Sequence, residues 1–165
     1  MEQAALAGKA GASYIAPYVN ELRVHFDQGY VDTDPGFGVC VGAQRYYRAN
    51  GYKTIVLPAS LTSVGECMKL VGADAITISP PLLRGLSESE WDEGEGEREW
   101  PSLFDVQMSE EQEREEREMW KALEDVEDEE RFREMFPDEG KQGQKLAQAI
   151  RIFNEFQEKL ESLMG

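Results

Sequence analysis

The sequence predicts an α/β fold in which parallel strands alternate with helices. Three short apolar runs carry the strand signal, and they cover residues 13–19, 54–59 and 75–79. Apolar residues at helical spacing separate these runs, and the turns between the elements are short. A β-α-β-α-β order is typical of parallel strands joined by right-handed crossovers. Because the runs are almost continuously apolar, we expect both faces of the sheet to be covered.

Capping residues predict where the helices between the strands begin. Asp34 and Pro35 are the residue types favoured at the N-cap and at the first helical position, so the second helix is expected to start there and to end at Gly51. Ser63 and Glu66 have the spacing of a capping box, which predicts the start of the third helix.

The charge of the chain is concentrated in one segment. The 165 residues carry a net charge of −16, and the segment from Glu88 to Glu139 contains 23 acidic and 6 basic residues. The remainder is close to neutral. Nucleic acid and anionic membranes would be repelled by such a segment, so we expect neither as a partner.

Composition divides the chain into three parts. Residues 1–86 hold the β-α-β-α-β segment, residues 87–139 are acidic and expected to be mostly helical or partly disordered, and residues 140–165 form an amphipathic terminal helix. The acidic part has two interpretations: solvated helices on the domain surface, or a module that binds a basic partner. The terminal helix is expected to pack on the strands and helices of the first part.

Cysteine and histidine content gives no indication of a metal site. Cys40 and Cys67 lack metal-ligand spacing and are expected to be buried, reduced thiols. His25 is the single histidine, which leaves no histidine-based cluster. We therefore expect no metal and no cofactor. The N-terminus is too polar for a signal peptide and no apolar run is long enough to span a membrane, so the expected compartment is the cytoplasm.

Four motifs resemble, in the same order, the C-terminal half of the transaldolase family. They are GASYIAPYVNEL, NGYKTIVLPASLTSVGE, GADAITISPPLLRGL and KLAQAIRIFNEFQEKLESLM. The APYVN string is closer to the fructose-6-phosphate aldolase branch of that family. The resemblance implies part of a (β/α)8 TIM-type barrel, in which the three predicted strands are equivalent to strands six to eight and C-terminal helices follow.

The resemblance also implies class I aldolase chemistry. In the family, a lysine on the fourth strand of the barrel forms a Schiff base with a dihydroxyacetone unit, and a tyrosine or carboxylate transfers the protons. Tyr18 matches the acid/base tyrosine of the aldolase branch, and Ser60 matches a serine that binds phosphate. Asn20, Glu21 and Thr62 are further candidates for substrate binding because they belong to the polar clusters that follow the first two predicted strands. In the alternative interpretation Asn20 and Glu21 are solvated loop residues, and the hydroxyls of Ser60 and Thr62 cap a helix.

Two departures from the family pattern change the expected substrate. Glu21 stands where the family has an arginine, and Thr62 stands where it has an arginine or lysine. A carboxylate repels a phosphate group, so the sequence predicts a substrate without phosphate. Arg23 lies two residues beyond Glu21 and is an alternative cation if its side chain reaches the same side.

The Schiff-base lysine is missing as well. No lysine occupies a buried strand position of the kind that lowers the pKa of a nucleophilic amine. We therefore expect an N-terminally truncated, transaldolase-like protein of carbohydrate metabolism, with pentose-phosphate-type chemistry and no activity alone. The alternative is a non-catalytic paralogue that acts by association. The expected partners are a small ketose or aldehyde and either a second copy or a complementing chain, because uncovered strand edges favour association.

Overall fold

The computed structural model describes residues 1–89, 101–123, 130, 133–134 and 141–164. The chain forms two compact units that divide between residues 124 and 125. The elements before this division are α1 (Glu2–Lys9), β1 (Tyr14–Ile15), α2 (Phe37–Asn50), β2 (Ile55–Val56), α3 (Val64–Lys69), α4 (Pro80–Glu88) and α5 (Glu110–Ala122). The second unit contains α6 (Lys141–Met164), whose apolar residues recur at steps of three and four.

The sheet is parallel, as the sequence predicts. Tyr14 pairs with Ile55 and Ile15 with Val56. An isolated parallel bridge joins Tyr18 to Ala59 further along the same two segments. The described residues thus contain a small two-stranded parallel sheet, β1–β2, among several helices. The α/β class is confirmed, and the partial barrel stays a prediction.

Pro17 explains why the strands are shorter than the apolar runs. The predicted strands cover 13–19 and 54–59, whereas β1 and β2 have two residues each. The Leu57 amide donates to the Ile15 carbonyl at 2.9 Å and the Ala59 amide to the Pro17 carbonyl at 2.9 Å, so the two segments run side by side beyond β1 and β2. Pro17 has no amide hydrogen and therefore removes one bond from the ladder, and the two segments pair again only at Tyr18 and Ala59.

The predicted third strand, residues 75–79, is extended but does not form a regular strand. Its Ala75 and Thr77 amides donate to the carbonyls of Val56 and Pro58 at 3.4 and 2.9 Å. A parallel ladder also needs bonds in the opposite direction. Pro58 cannot donate one, and the Val56 amide donates to the Asp74 carboxylate at 3.3 Å instead. The prediction of a third strand is wrong for this reason, although the segment lies beside β2.

The start of α2 also differs from the prediction. The helix begins at Phe37 with Gly36 as its N-cap, two residues after the predicted cap at Asp34. The Asp34 amide donates to the Asp32 carboxylate at 2.9 Å, and the Gly36 amide donates to the Val19 carbonyl at 2.7 Å. These bonds hold the chain in a turn against the end of β1, so helical geometry starts only after Gly36.

The core lies where α1 packs against α2 and α2 packs against β2. Tyr47 is 1% exposed, and its hydroxyl donates to the Ala4 carbonyl at 2.7 Å. A Cβ on Gly8 would lie 2.8 Å from the Tyr47 ring, so the glycine permits α1 to approach α2 this closely. Gln44 is equally buried and binds the turn that follows α3: its Nε2 donates to the Gly72 carbonyl and its Oε1 accepts from the Asp74 amide, both at 2.8 Å.

The described part of the acidic segment packs on this core through its apolar side chains. The Leu103 amide donates to the Lys69 carbonyl at 2.9 Å. Trp120 of α5 contacts the ring of Tyr46 edge-on at a centroid distance of 5.9 Å, and Leu123 is buried. A capping box at Ser109 begins α5. Within the described residues 101–123, α5 therefore lies on the first unit with most of its charged side chains exposed, and Glu116 lies 3.9 Å from Arg45.

Candidate functional site

The sequence-predicted site residues lie at the carboxyl ends of β1 and β2. The Tyr18–Ala59 bridge places the tyrosine beside the segment that continues into Ser60. The Val19 amide donates to the Ala59 carbonyl at 2.9 Å, and the Asn20 amide donates to the Ser60 carbonyl at 3.3 Å. Tyr18, Asn20 and Ser60 are thus brought together. Tyr18 is 48% exposed, so its phenol is accessible from solvent.

Asn20 is a buried connection between the two strand ends. Its side chain is 3% exposed, and Nδ2 donates to the Ser60 carbonyl and to Glu66 Oε2, both at 2.9 Å. Glu66 Oε2 also accepts from the Thr62 amide at 2.7 Å. Ser63 caps α3 by accepting from the Glu66 amide at 3.2 Å, as the capping-box spacing predicts. Both amide hydrogens of Asn20 are used in these bonds, so its role is to fix the loop.

Glu66 connects the residues around it more extensively than its sequence spacing predicts. In a capping box the N3 side chain bonds to the N-cap amide. Here the carboxylate reaches one residue further back, to Thr62, and across to Asn20. The exposed Thr62 side chain is left outside this arrangement. The cross-strand bond could not be predicted from the sequence, because nothing local to Ser63 or Glu66 indicates it.

Glu21 lies in a polar loop of its own. Its carboxylate accepts from the Tyr30 hydroxyl at 2.9 Å, and its amide donates to Asp32 Oδ2 at 2.9 Å. The bond to this carboxylate is the largest cause that raises the pKa of Tyr30, followed by desolvation. Arg23 lies with its guanidinium carbon 4.1 Å from the centre of the Tyr30 ring and binds Asp27 at 2.7 Å. Because residues 22–25 form a 3₁₀ turn, strand alternation does not determine where Arg23 points.

His25 is a site residue that the sequence analysis did not identify. Its Nε2 lies 2.9 Å from the Ser60 hydroxyl, although the residues are 35 positions apart. Ser60 has a φ of 63°, the left-handed region that side chains other than glycine seldom occupy. No local sequence signal predicts either feature, since both depend on how the loop after β1 folds over the end of β2.

The comparisons with known proteins agree with the motifs. The profile of the family described as transaldolase/fructose-6-phosphate aldolase matches residues 1–164. The chain belongs to this family. A curated relative, the transaldolase of Edwardsiella ictaluri (strain 93-146), is 41% identical over 93 residues, which are 53% of this chain and 29% of the relative. The chain therefore spans less than a third of the length of the curated relative that it matches.

Within this transaldolase-family chain, no lysine of the first unit lies in the segments that directly follow β1 and β2. Lys53 is exposed in the turn that enters β2, at the opposite end of the strand from Ser60. Lys9 ends α1 and Lys69 ends α3, where its ammonium group lies 5.6 Å from the centre of the Phe37 ring. None of these lysines follows the carboxyl end of a strand.

Metal ligation and membrane insertion find no support in the described residues. No three histidine, cysteine, aspartate or glutamate side chains of that part are grouped so that they could hold a metal ion. Within the same part of the chain, no helix combines the length and the apolarity needed to cross a membrane. The two cysteines are free and buried, and burial raises the pKa of the Cys40 thiol to about 11.

Proposed function

We propose that the chain supplies the proton-transfer end of a transaldolase-like site in carbohydrate metabolism, with chemistry of the pentose-phosphate type. The observation that carries this proposal is Tyr18, a half-exposed phenol at the end of β1 beside Ser60. A phenol that water reaches can exchange a proton with a substrate carbonyl or hydroxyl oxygen. Asn20 and Glu66 support this role because they fix the two strand ends on which the phenol and the serine are placed.

The covalent part of the reaction requires a lysine from elsewhere. A Schiff base needs an amine near the acid/base group, and in the first unit the lysines lie in the last turns of α1, α3 and α5 or at the opposite end of β2. We propose that a segment or chain outside this sequence provides that amine. The chain alone then has no covalent aldolase activity, and Tyr18 acts only in the complete assembly.

The proposed substrate is a ketose or aldehyde without a phosphate group. Glu21 and Thr62 replace the two cations that bind phosphate in the family pattern, and the Glu21 carboxylate accepts a hydrogen bond from Tyr30. Arg23 binds Asp27, so its charge is largely compensated. Dihydroxyacetone, which is neutral, fits this arrangement better than a sugar phosphate because it brings no anion near Glu21 and Asp32.

Borohydride trapping tests the proposal in two stages. The chain alone, incubated with dihydroxyacetone and borohydride, is expected to show no lysine adduct by mass spectrometry. The second stage adds the N-terminal portion of the Edwardsiella ictaluri transaldolase, and an adduct on that portion is expected only in the mixture. Tyr18→Phe in this mixture is expected to keep the adduct and to slow aldol turnover by a factor of roughly 10².

Either of two results contradicts the proposal. A lysine adduct on the isolated chain would show that it does not need an external amine. Turnover that Tyr18→Phe leaves unchanged would remove the phenol from proton transfer. Fructose 6-phosphate in place of dihydroxyacetone tests the substrate separately, since equal or faster turnover with the phosphate would contradict only that part.

A second candidate function, association without catalysis, is favoured by the exposed side of the sheet. Tyr14 and Ile55 are neighbours in the strand register and are 57% and 40% exposed. In the described part of the chain β1 pairs only with β2, so its outer edge presents unpaired backbone groups. Light scattering distinguishes the outcomes: a concentration-dependent rise in mass supports association, and a constant monomer mass with a cooperative melt opposes it.

A further inference from the structure

His25 and Ser60 form a side-chain pair whose hydrogen bond has no role in the proposed proton transfer by Tyr18, although Ser60 itself is a substrate-binding candidate of that site. The imidazole Nε2 and the serine hydroxyl are 2.9 Å apart, a normal hydrogen-bond distance. With the imidazole hydrogen on Nδ1, Nε2 accepts from the hydroxyl. A nucleophile within hydrogen-bond reach of a base is the arrangement by which serine is activated for acyl transfer.

The backbone presents Ser60 in an unusual way. It lies directly after the paired residue Ala59 and before α3, on a strand-to-helix connection. Its φ of 63° is the one positive value at a non-glycine residue in the described chain. Such values disfavour a side chain and occur often at functional sites. In serine hydrolases the nucleophile stands on a strained strand-to-helix turn of the same kind.

The amide that follows the serine completes the comparison. In those hydrolases the N–H after the nucleophile is one of the donors that stabilise the oxyanion. Among the described residues, the Leu61 amide makes no hydrogen bond, whereas the next amide, that of Thr62, binds Glu66. The flanking residues are Pro58 and Thr62 rather than the two glycines of the hydrolase motif. The comparison therefore rests on the geometry of the serine and not on a sequence motif.

We propose that Ser60 and His25 act as a nucleophile and base toward small activated carboxylic esters, a reaction beyond the proposed aldolase function. The Ser60 oxygen bonds to the ester carbonyl carbon while its proton passes to His25 Nε2. The ester C–O bond then breaks, and the departing alcohol takes the proton from Nε2. Water repeats the sequence on the acyl-serine, with the proton again passing through Nε2, and releases the acid and free Ser60.

The surroundings of His25 limit how fast this reaction is. In a full triad a carboxylate binds the other ring nitrogen and orients the base. In the described part of the chain the His25 ring has an edge contact with Phe26 at 6.4 Å, and no carboxylate binds it. His25 is exposed and Ser60 is partly exposed. We therefore expect an accessible but slow site whose acyl-enzyme accumulates.

The experiment uses the full chain with p-nitrophenyl acetate. Release of p-nitrophenol is followed by absorbance, and the acetylated residue is mapped by peptide mass spectrometry after rapid acid quenching. Acetyl-Ser60 is the expected adduct. Ser60→Gly and His25→Gln are each expected to lower the rate above background by at least about tenfold. Ser60→Gly suits the test because glycine adopts a positive φ readily, so a lost rate does not reflect unfolding.

Ser87→Ala is the matched control, since Ser87 is an exposed serine whose hydroxyl donates to the Arg84 carbonyl in α4. This variant is expected to keep the full rate. A Ser60→Gly protein that keeps the full rate, or an acetyl group found on His25 but never on Ser60, would overturn the proposal. The aldolase proposal is judged separately, because its readout is trapping with dihydroxyacetone.

Discussion

Polar side chains are buried on the helix-facing side of the sheet and exposed on the rim at its carboxyl end. On the helix-facing side, Gln44 and Tyr47 are 1% exposed and each donates a hydrogen bond to a backbone carbonyl. On the rim, Tyr18 is half exposed and the hydrogen bond between His25 and Ser60 lies at the surface.

This difference separates groups that stabilise from groups that can react. Burial raises the pKa of Cys40 to about 11 and that of Tyr47 to about 12, so neither group ionises at neutral pH. A buried thiol or phenol in this state is inert toward substrates. The groups that we propose as reactive, Tyr18, Ser60 and His25, lie on the rim, where they meet solvent.

The largest effect is expected from Gln44→Ala on the helix-facing side. The change removes the bonds to the Gly72 carbonyl and the Asp74 amide and leaves a cavity. The free energy of unfolding is expected to fall by about 3 kcal/mol, measured by urea denaturation. Arg48→Ala is the matched control, because its exposed guanidinium binds the same Asp74 at 3.0 Å. A surface ion pair of this kind contributes about 0–1 kcal/mol. Equal losses of unfolding free energy in the two variants would contradict the difference between buried and exposed polar groups.

The pH dependence of stability tests the helix-facing side of the sheet through the ionisation of the Tyr47 phenol. Its folded pKa is about 12 against an ordinary value of 10, because of burial and then the nearby Tyr46. The stabilisation by the neutral phenol is therefore complete below pH 10 and is lost as the pH rises toward 12. The loss is about 2–3 kcal/mol for a shift of this size. Tyr47→Phe lacks the ionisable group, so its stability is expected to decrease less over that interval. Parallel curves for the two proteins would show that Tyr47 does not cause the decrease.

Asn20 and Tyr18 compare a buried and an exposed residue on one strand end. Asn20→Ala removes the bonds to Ser60 and Glu66 and is expected to cost about 2 kcal/mol of unfolding free energy. Tyr18→Phe changes a half-exposed phenol and is expected to change stability by less than about 0.5 kcal/mol. Thermal melts of both variants measure this. A large loss with Tyr18→Phe would mean that the phenol stabilises the fold, which would weaken its assignment as a reactive group.

The features that the sequence predicted are those determined by neighbouring residues. Ser63 caps α3 as its spacing with Glu66 indicates, because a capping bond joins residues three apart. Gly51 ends α2 in the left-handed conformation for an equally local reason. The third strand was predicted from an apolar run alone. It does not form because Pro58 has no amide hydrogen to donate to it and the Val56 amide donates to Asp74 instead.

The residues of the candidate site also divide into those that the sequence predicted and those that depend on contacts between distant residues. Tyr18, Asn20 and Ser60 were predicted from a family resemblance, and the structure places them at adjacent strand ends. The His25–Ser60 pair was not predictable, since it depends on a 3₁₀ turn that carries the imidazole back over the end of β2. The cross-strand bond of Glu66 to Asn20 was missed for the same reason, because the two residues are 46 positions apart.

The smallest expected effect has the opposite sign and concerns the backbone of the rim. Ser60→Gly relieves the positive φ, a gain of about 1 kcal/mol, and loses the exposed bond to His25, a cost of about 0.5 kcal/mol. The variant is therefore expected to be slightly more stable than the original protein. Ser60→Ala loses the same bond but keeps a Cβ at φ 63°, so it is expected to be about 1 kcal/mol less stable than Ser60→Gly in urea denaturation. If the two variants are equally stable, the serine is not strained, and the comparison with the strained turn of serine hydrolases loses its support.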